Sequence, residues 1–364
     1  MGDPDESGPI CHVTDSRDPG GAESVILSLM AALGRSGGSQ RLVVMNDGWL
    51  SGEARARGWP VTVLPTAGSA DLRWIAEFRG FLRRESIRVV HTHLLDAGFY
   101  GSIGATISGV PCVATEHGDV AMASKRGGRF WIKLAVAQAL SRRVVVVSDG
   151  TARALAERLR FGAGKIRVIP NGIDEKPWSR LPQREEARRR LGIASGSRVV
   201  ATLGALTAVK DHVMLLRAHA LMPPDVVCVI AGEGPLRAEL LSEAAHLGSE
   251  ARVVLPGFVR DAASVLAAAD VFCLSSRSEG MPLVLLEAIA ARRPIVCTAV
   301  GGVPEVLRRA GGGRLVPPRD PRAFADALAE ALAGRVPATD LPEEYRVERM
   351  AERYLEIYRE VGRS

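Results

Sequence analysis

The chain is short of lysine, of aromatic side chains and of paired cysteines, and each shortage removes a class of function. Its five cysteines, Cys11, Cys112, Cys228, Cys273 and Cys297, lie singly in apolar, strand-like runs with no CxxC pair. They read as small buried hydrophobes in a reducing compartment, not as a metal cluster or a disulfide framework. No apolar run approaches the roughly 18–20 residues needed to span a bilayer. The amino terminus, MGDPDESGPI, is acidic and lacks an apolar signal segment, so the expected location is cytoplasmic. Aromatic residues make up 5% of the chain, and no basic run is interleaved with them in a nucleic-acid-binding pattern. A nucleic-acid partner is therefore not expected.

What is present describes an ordinary globular protein of two domains. The chain has 364 residues, 47% hydrophobic and 24% charged, with ample length for two cores. Its net charge of +6 is lopsided: residues 1–180 hold 23 Lys and Arg against 18 Asp and Glu, while the rest is nearly balanced. That excess would steer a phosphate-bearing partner or an anionic membrane surface, or it simply reflects an arginine-rich composition. Strand-like runs alternate with helical spacing through both halves, which predicts parallel sheets covered by helices. In the first half the expected strands lie near Ile10–Thr14, Arg41–Asn46, Val61–Leu64, Val89–His91, Cys112–Thr115, Val144–Ser148 and Arg167–Ile169. In the second they lie near Val199–Gly204, Val226–Ala231, Val253–Leu255, Val271–Leu274, Ile295–Thr298 and Arg314–Val316. The segment Pro170–Pro182, with three prolines and Asn171-Gly172, reads as the interdomain linker. The expected division is 1–180, 181–341 and a terminal helix over 342–364 carrying Tyr345, Tyr354, Leu355 and Tyr358.

The most informative stretch is SSRSEGMPLVLLEAIAARRPIVCTAVGGVPE, from Ser275 to Glu305. Glu279 falls on the loop after the strand Val271–Leu274, and Pro282 suits the first turn of a helix running through Leu283–Ala291. A helix start leaves N–H groups without partners and a positive dipole end, which together attract an anion. Glu287 lies more than a turn in, with its side chain leaning back toward that end. A carboxylate beside an anion site is repulsive unless it binds something neutral, such as hydroxyls. Phosphate on the amides with hydroxyls on the two carboxylates describes a sugar nucleotide.

This stretch, taken with Gly20-Gly21 and with Leu203–Asp211, resembles the family 4 glycosyltransferases, retaining enzymes of the GT-B fold. The resemblance runs from Gly20-Gly21 through Pro318. It implies two Rossmann-like domains whose parallel sheets face a central cleft, the last helix crossing back onto the first domain. It implies a nucleotide-sugar donor, with UDP as the nucleotide, and a glycan, lipid-linked or small-molecule acceptor. Glu279 would hold the transferred sugar, Glu287 the ribose, and the backbone of Gly280, Met281, Pro282 and Leu283 would cradle the sugar and diphosphate. Gly20 and Gly21 would face the diphosphate and the acceptor, and His117, just past a strand end, would lie beside the donor sugar. Lys210 would neutralise the diphosphate. The arginine that accompanies this lysine in the family is replaced by Ala205, leaving Arg277 or Arg260 as possible substitutes. Gly257-Phe258-Val259 would lie beside the base. No DxD-like cluster stands near these motifs, so the reading needs no metal, no cofactor and no side-chain base.

Other motifs are less specific. Gly232-Glu233-Gly234 lacks the third glycine of a dinucleotide fingerprint. His91 and His93 are read as alternating to opposite faces of a strand, unable to share a metal, with His93 an acceptor-side candidate. The basic, aromatic stretch Met122–Arg143, with Lys125, Arg126, Arg129, Lys133, Phe130 and Trp131, would touch anionic lipid at the inner membrane face or a pyrophosphate-linked acceptor, or else lead into a buried helix Leu134–Leu140. Rival functions are a GT-B sugar-nucleotide epimerase using Glu116 and Asp119, and a non-catalytic partner subunit that has lost its arginine.

Overall fold

The computed structural model describes residues 8–68, 71–118, 127–158 and 163–363, and divides them into two units. The first comprises residues up to Gly172 together with Glu344 onward; the second runs from Ile173 to Glu343. Lys125, Arg126 and Asp119 lie outside the described residues.

In the first unit, β1 (Ile10–Thr14), β2 (Gln40–Val44), β3 (Val61–Val63), β4 (Val89–His93), β5 (Cys112–Glu116), β6 (Arg143–Val146) and β7 (Ile166–Val168) form a parallel sheet in the order 3-2-1-4-5-6-7. The order reverses between β1 and β4, which is where open α/β sheets place their ligands, at the carboxyl ends of the strands. One face buries Cys11 and Val13 against Trp74, Phe78 and Tyr100. Helices cover both faces, so every residue of β1 and of β4 is buried.

That burial includes His12, His91 and His93, none of which retains exposed surface. His91 and His93 do not alternate to opposite faces of the strand, as their spacing was expected to place them. Residues two apart on a strand share a face, and the His91 and His93 rings stand 4.0 Å apart on the side opposite Val90. The terminal helix, Val347–Gly362, covers them. It follows a 3-10 turn over Glu343–Tyr345 and so begins later than its composition suggested. Tyr358 Oη meets His91 Nδ1 at 2.6 Å, and Tyr354 Oη meets Thr115 Oγ1 at 3.1 Å.

In the second unit, β8 (Arg198–Leu203), β9 (Val226–Ala231), β10 (Val253–Gly257), β11 (Val271–Leu274), β12 (Ile295–Thr298) and β13 (Arg314–Val316) form a parallel sheet ordered 10-9-8-11-12-13. Its switch point falls between β8 and β11. One face packs Val200, Ile230 and Cys273 against Leu216, Phe324 and Leu328; the other packs Val199, Ala201 and Val229 against Val265. Burial on both faces explains why these strands are continuous Val- and Ile-rich runs without alternation. Among the described residues, no helix is long and apolar enough to cross a membrane.

Removing one hydroxyl tests the tie between the terminal helix and the first sheet. Tyr358→Phe leaves His91 Nδ1 buried without a partner, so unfolding free energy falls by about 1–3 kcal/mol in urea titration.

Candidate active site

The loops leaving β8, β9 and β11 converge at backbone level. Gly204 N–H donates to Ala231 O at 2.9 Å and Leu206 N–H to Glu233 O at 2.8 Å. Arg277 N–H donates to Val209 O at 2.8 Å, and Ser275 Oγ to Lys210 O, also at 2.8 Å. A Cβ on Gly232, whose φ is +152°, would lie 2.0 Å from Gly204 O. The contact at Gly301 is tighter: with φ +52°, its Cβ would fall 1.6 Å from Glu279 O. Gly302 N–H meanwhile donates to Gly280 O at 2.9 Å. The Gly301-Gly302 turn after β12 thus seats the Glu279 loop.

Held this way, Glu279 and Lys210 meet. Lys210 Nζ donates to Glu279 Oε1 at 2.6 Å, and Ser276 Oγ donates to the same oxygen at 2.6 Å. The Glu279 side chain keeps 8% of its surface and that of Lys210 22%. The sequence suggested separate roles for these two residues; the structure brings them together and adds Ser276, which its type alone did not single out. Gly280, Met281, Pro282 and Leu283 continue from there. Pro282 is the N-cap rather than part of the first turn, with an extended ψ of 122°, and the helix runs Leu283–Ala290. Its first N–H groups have no acceptor in a preceding turn. Burial pushes the carboxyl of Glu287 up to about 7.

Ala205 offers no charge, and Arg277 is paired with Asp211. Arg277 Nε and Nη2 grip Asp211 Oδ2 and Oδ1 at 2.7 and 2.8 Å, a bidentate pair whose acidic side chain is almost wholly buried. Asp211 itself sits at φ +49°, so the helix begins one residue later, at His212. Arg260 is exposed, as is Phe258.

In the first unit the strand-end loops carry the other expected residues. Gly20 caps the helix Gly21–Arg35. The Glu23 carboxylate occupies the space over Gly20, 2.5 Å from where a Cβ would be, while Gly21 is open. Asp15, after β1, accepts from Asp96 N–H at 2.7 Å and from Ala97 N–H at 3.4 Å, capping the helix Leu95–Ile107 behind a strained Leu94 (φ +71°). Burial pushes the carboxyls of Asp15 and Glu116 up, the latter to about 7. His117 follows β5 and bonds through Nε2 to His93 Nδ1 at 3.0 Å. His93 is wholly buried, so it does not face an acceptor.

His12, His91 and His93 each place a ring nitrogen within 4.8 Å of the others. Those nitrogens are largely engaged already: His93 with both neighbours, His91 with Thr115 and Tyr358. In the basic stretch, Lys133 donates to Asp96 at 2.5 Å. Phe130 and Trp131 pack around Leu134 and Val144, and the helix spans Gly128–Leu140. Phe130 and Trp131 are half-buried, while Arg129 and Ile132 are exposed.

Residues 19–176 match the family described as Glycosyltransferase Family 4, and residues 183–348 match Glycosyl transferases group 1. An alpha-maltose-1-phosphate synthase of Mycolicibacterium smegmatis is 30% identical over 312 residues, covering 76% of this chain and 80% of the relative. This chain belongs to the family 4 glycosyltransferases. The glycosyltransferase is also 28% identical over 278 residues to the UDP-Gal:alpha-D-GlcNAc-diphosphoundecaprenol alpha-1,3-galactosyltransferase of Escherichia coli, over 73% of this chain and 72% of that one. The crystal structure of Anabaena HepE in complex with UDP-glucose matches it with a TM-score of 0.85 at 22% identity, covering 97% and 99% of the two chains. The fold is GT-B.

Two outcomes follow for this enzyme. Gly301→Ala adds a backbone collision to an unfavourable φ and lowers stability by about 2–5 kcal/mol. Gly311→Ala, at φ +72° with nothing within 4 Å, loses only about 1 kcal/mol in the same denaturant series. The second outcome concerns pH. Because Glu287 holds its proton more tightly folded than unfolded, its contribution is greatest at acid pH and is lost as pH rises through about 7. Wild type therefore loses stability relative to Glu287→Gln between pH 5 and 8; parallel curves would refute the raised carboxyl.

Proposed function

We propose that this glycosyltransferase moves a hexose from a UDP-sugar, with retention of anomeric configuration, to a lipid-linked or small-molecule acceptor in glycan assembly. The observation that carries the reading is the group formed by Lys210, Glu279 and Ser276 at the entrance to the Leu283–Ala290 helix. A leaving diphosphate needs cationic and N–H stabilisation fixed in advance, because dipoles that need not reorganise lower the barrier most. Lys210 and the helix start supply both kinds of group. Glu279, already polarised by lysine and serine, is suited to orient sugar hydroxyls. Glu287, more than a turn into the same helix with its side chain leaning back toward the start, suits the neutral diol of a ribose and not a phosphate.

The substrate class draws support from the relatives: the Escherichia coli enzyme is named for a UDP-galactose donor and a lipid diphosphate acceptor, and HepE is described with UDP-glucose. Retention and the absence of a side-chain base follow the family resemblance. We assign Gly20, Gly21 and His117 to ligand contacts of the first unit, where the open space at Gly21 leaves backbone accessible. With Ala205 uncharged and Arg277 held by Asp211, Lys210 carries the cationic role.

The test is UDP release from UDP-glucose and UDP-galactose, with and without a lipid-linked acceptor fraction, together with product NMR. Lys210→Ala should lower turnover at least about 100-fold, the scale for one pre-organised electrostatic contact at a leaving group. Turnover unchanged by that substitution removes the diphosphate from this site. An inverted anomer removes the retaining mechanism.

A further inference from the structure

The segment that carries Lys210 is tied at three consecutive residues to one stretch of the loop after β11. Arg277 N–H donates to Val209 O at 2.8 Å, and Ser275 Oγ donates to Lys210 O, also at 2.8 Å. At the next residue the side chains meet: Arg277 Nε and Nη2 donate to Asp211 Oδ2 and Oδ1 at 2.7 and 2.8 Å. Ser275 is buried, and the Asp211 side chain keeps only 4% of its surface. The lysine stem lies against the end of β8, with Cε 3.5 Å from where a Cβ on Gly204 would be. Backbone and stem are both seated.

Asp211 is a strained residue for its place. It sits at φ +49° and ψ 45°, a left-handed geometry that glycine takes freely and aspartate does not. Its carboxylate does not cap the helix His212–Ala220 that it precedes. Both oxygens go to Arg277 instead. Two parallel bonds between a guanidinium and a carboxylate fix an angle as well as a distance. A buried ion pair adds little net stability once desolvation is counted. A strained aspartate committed to such a pair therefore points to a geometric duty.

We propose that Ser275, Arg277 and Asp211 are positioning residues that hold Lys210 as a stationary cation, its ammonium resting on Glu279 and its remaining N–H groups directed at the leaving diphosphate. An ammonium carries three N–H groups, and the contact with Glu279 Oε1 at 2.6 Å uses one. A cation anchored in this way need not reorganise as charge develops, which is the condition for a strong electrostatic effect. Arg277 acts on the reaction through Asp211 and Lys210 and does not itself touch the diphosphate. The role of the diphosphate rests on the glycosyltransferase reading above; the anchoring of Lys210 does not.

The chain has five lysines, so carbon-13 at the lysine ε position gives five NMR signals, and Lys210→Ala identifies one of them. Without added nucleotide, Asp211→Gly, Arg277→Met and Ser275→Ala should each move that signal toward those of exposed lysines. Arg277→Met leaves a buried carboxylate unpaired and so puts the fold at risk. Asp211→Gly does not, because glycine suits the positive φ. In turnover of UDP-glucose or UDP-galactose, Asp211→Gly should lower kcat about 10- to 100-fold, the scale of a small misplacement at a reacting centre. Once Lys210→Ala has removed the amine, adding Asp211→Gly should cost nothing further, which general loosening of the fold would not reproduce. A Lys210 signal indifferent to all three substitutions, or losses that add to that of Lys210→Ala, would overturn the assignment. A gain of turnover in Asp211→Gly would overturn it too, since the released Arg277 would then be the better cation. A displaced signal in a protein that turns over neither sugar nucleotide would support the anchoring while removing the proposed function.

Discussion

The carbonyl oxygen of Glu279 lies where a side chain on residue 301 would begin, and the donor-side loops of the second unit depend on that close approach. A positive φ and the absence of a Cβ are both required at Gly301, a combination only glycine meets without strain. The same device recurs at Gly232, where backbone presses on Gly204, and at Gly234, whose Cβ would lie 2.5 Å from Leu206 O. With three loops stacked backbone to backbone, little volume remains for alternative conformations. The main chains that carry Ser276, Glu279 and Lys210 are consequently held in place, and the lysine and glutamate side chains meet from fixed starting points.

This rigidity has an electrostatic consequence. Glu279 and Glu287 are separated by seven residues, yet their surroundings push them apart in character. Glu279 accepts from Lys210 and a serine hydroxyl, whereas burial pushes the Glu287 carboxyl up. Environment, not residue type, assigns different duties to two like groups. The replacement of arginine by Ala205 fits the same frame. A second cation would share the loop with Lys210, and the nearby Arg277 is held by a buried Asp211 that would otherwise be an uncompensated charge.

Much of this was legible in the sequence, for physical reasons that also mark the limit. Continuous valine-rich runs such as Val226–Ala231 identify strands buried on both faces. Glu279, Pro282 and Glu287 announce a loop and a helix start because their effects are local. What escaped depends on register across strands. Nothing near His12 in sequence says that it pairs with His91, or that Thr14 pairs with His93. The partnership of Arg277 with Asp211 joins residues 66 positions apart. The histidines of β4 were misread for a simpler reason: a period of two returns alternate residues to one face, so His91 and His93 had to be neighbours.

The placement of so many histidines in a sheet interior needs an explanation beyond packing, since apolar residues would fill that volume without leaving orphaned nitrogens. His91 has a structural account, because Thr115 and Tyr358 satisfy both its nitrogens and Tyr358 brings the terminal helix onto the sheet. His12 and His93 do not, since their chain ends in two unpartnered atoms and runs outward toward the loop after β5. A polar path that is satisfied in the middle and leaves a buried nitrogen without a partner at each end costs the fold stability.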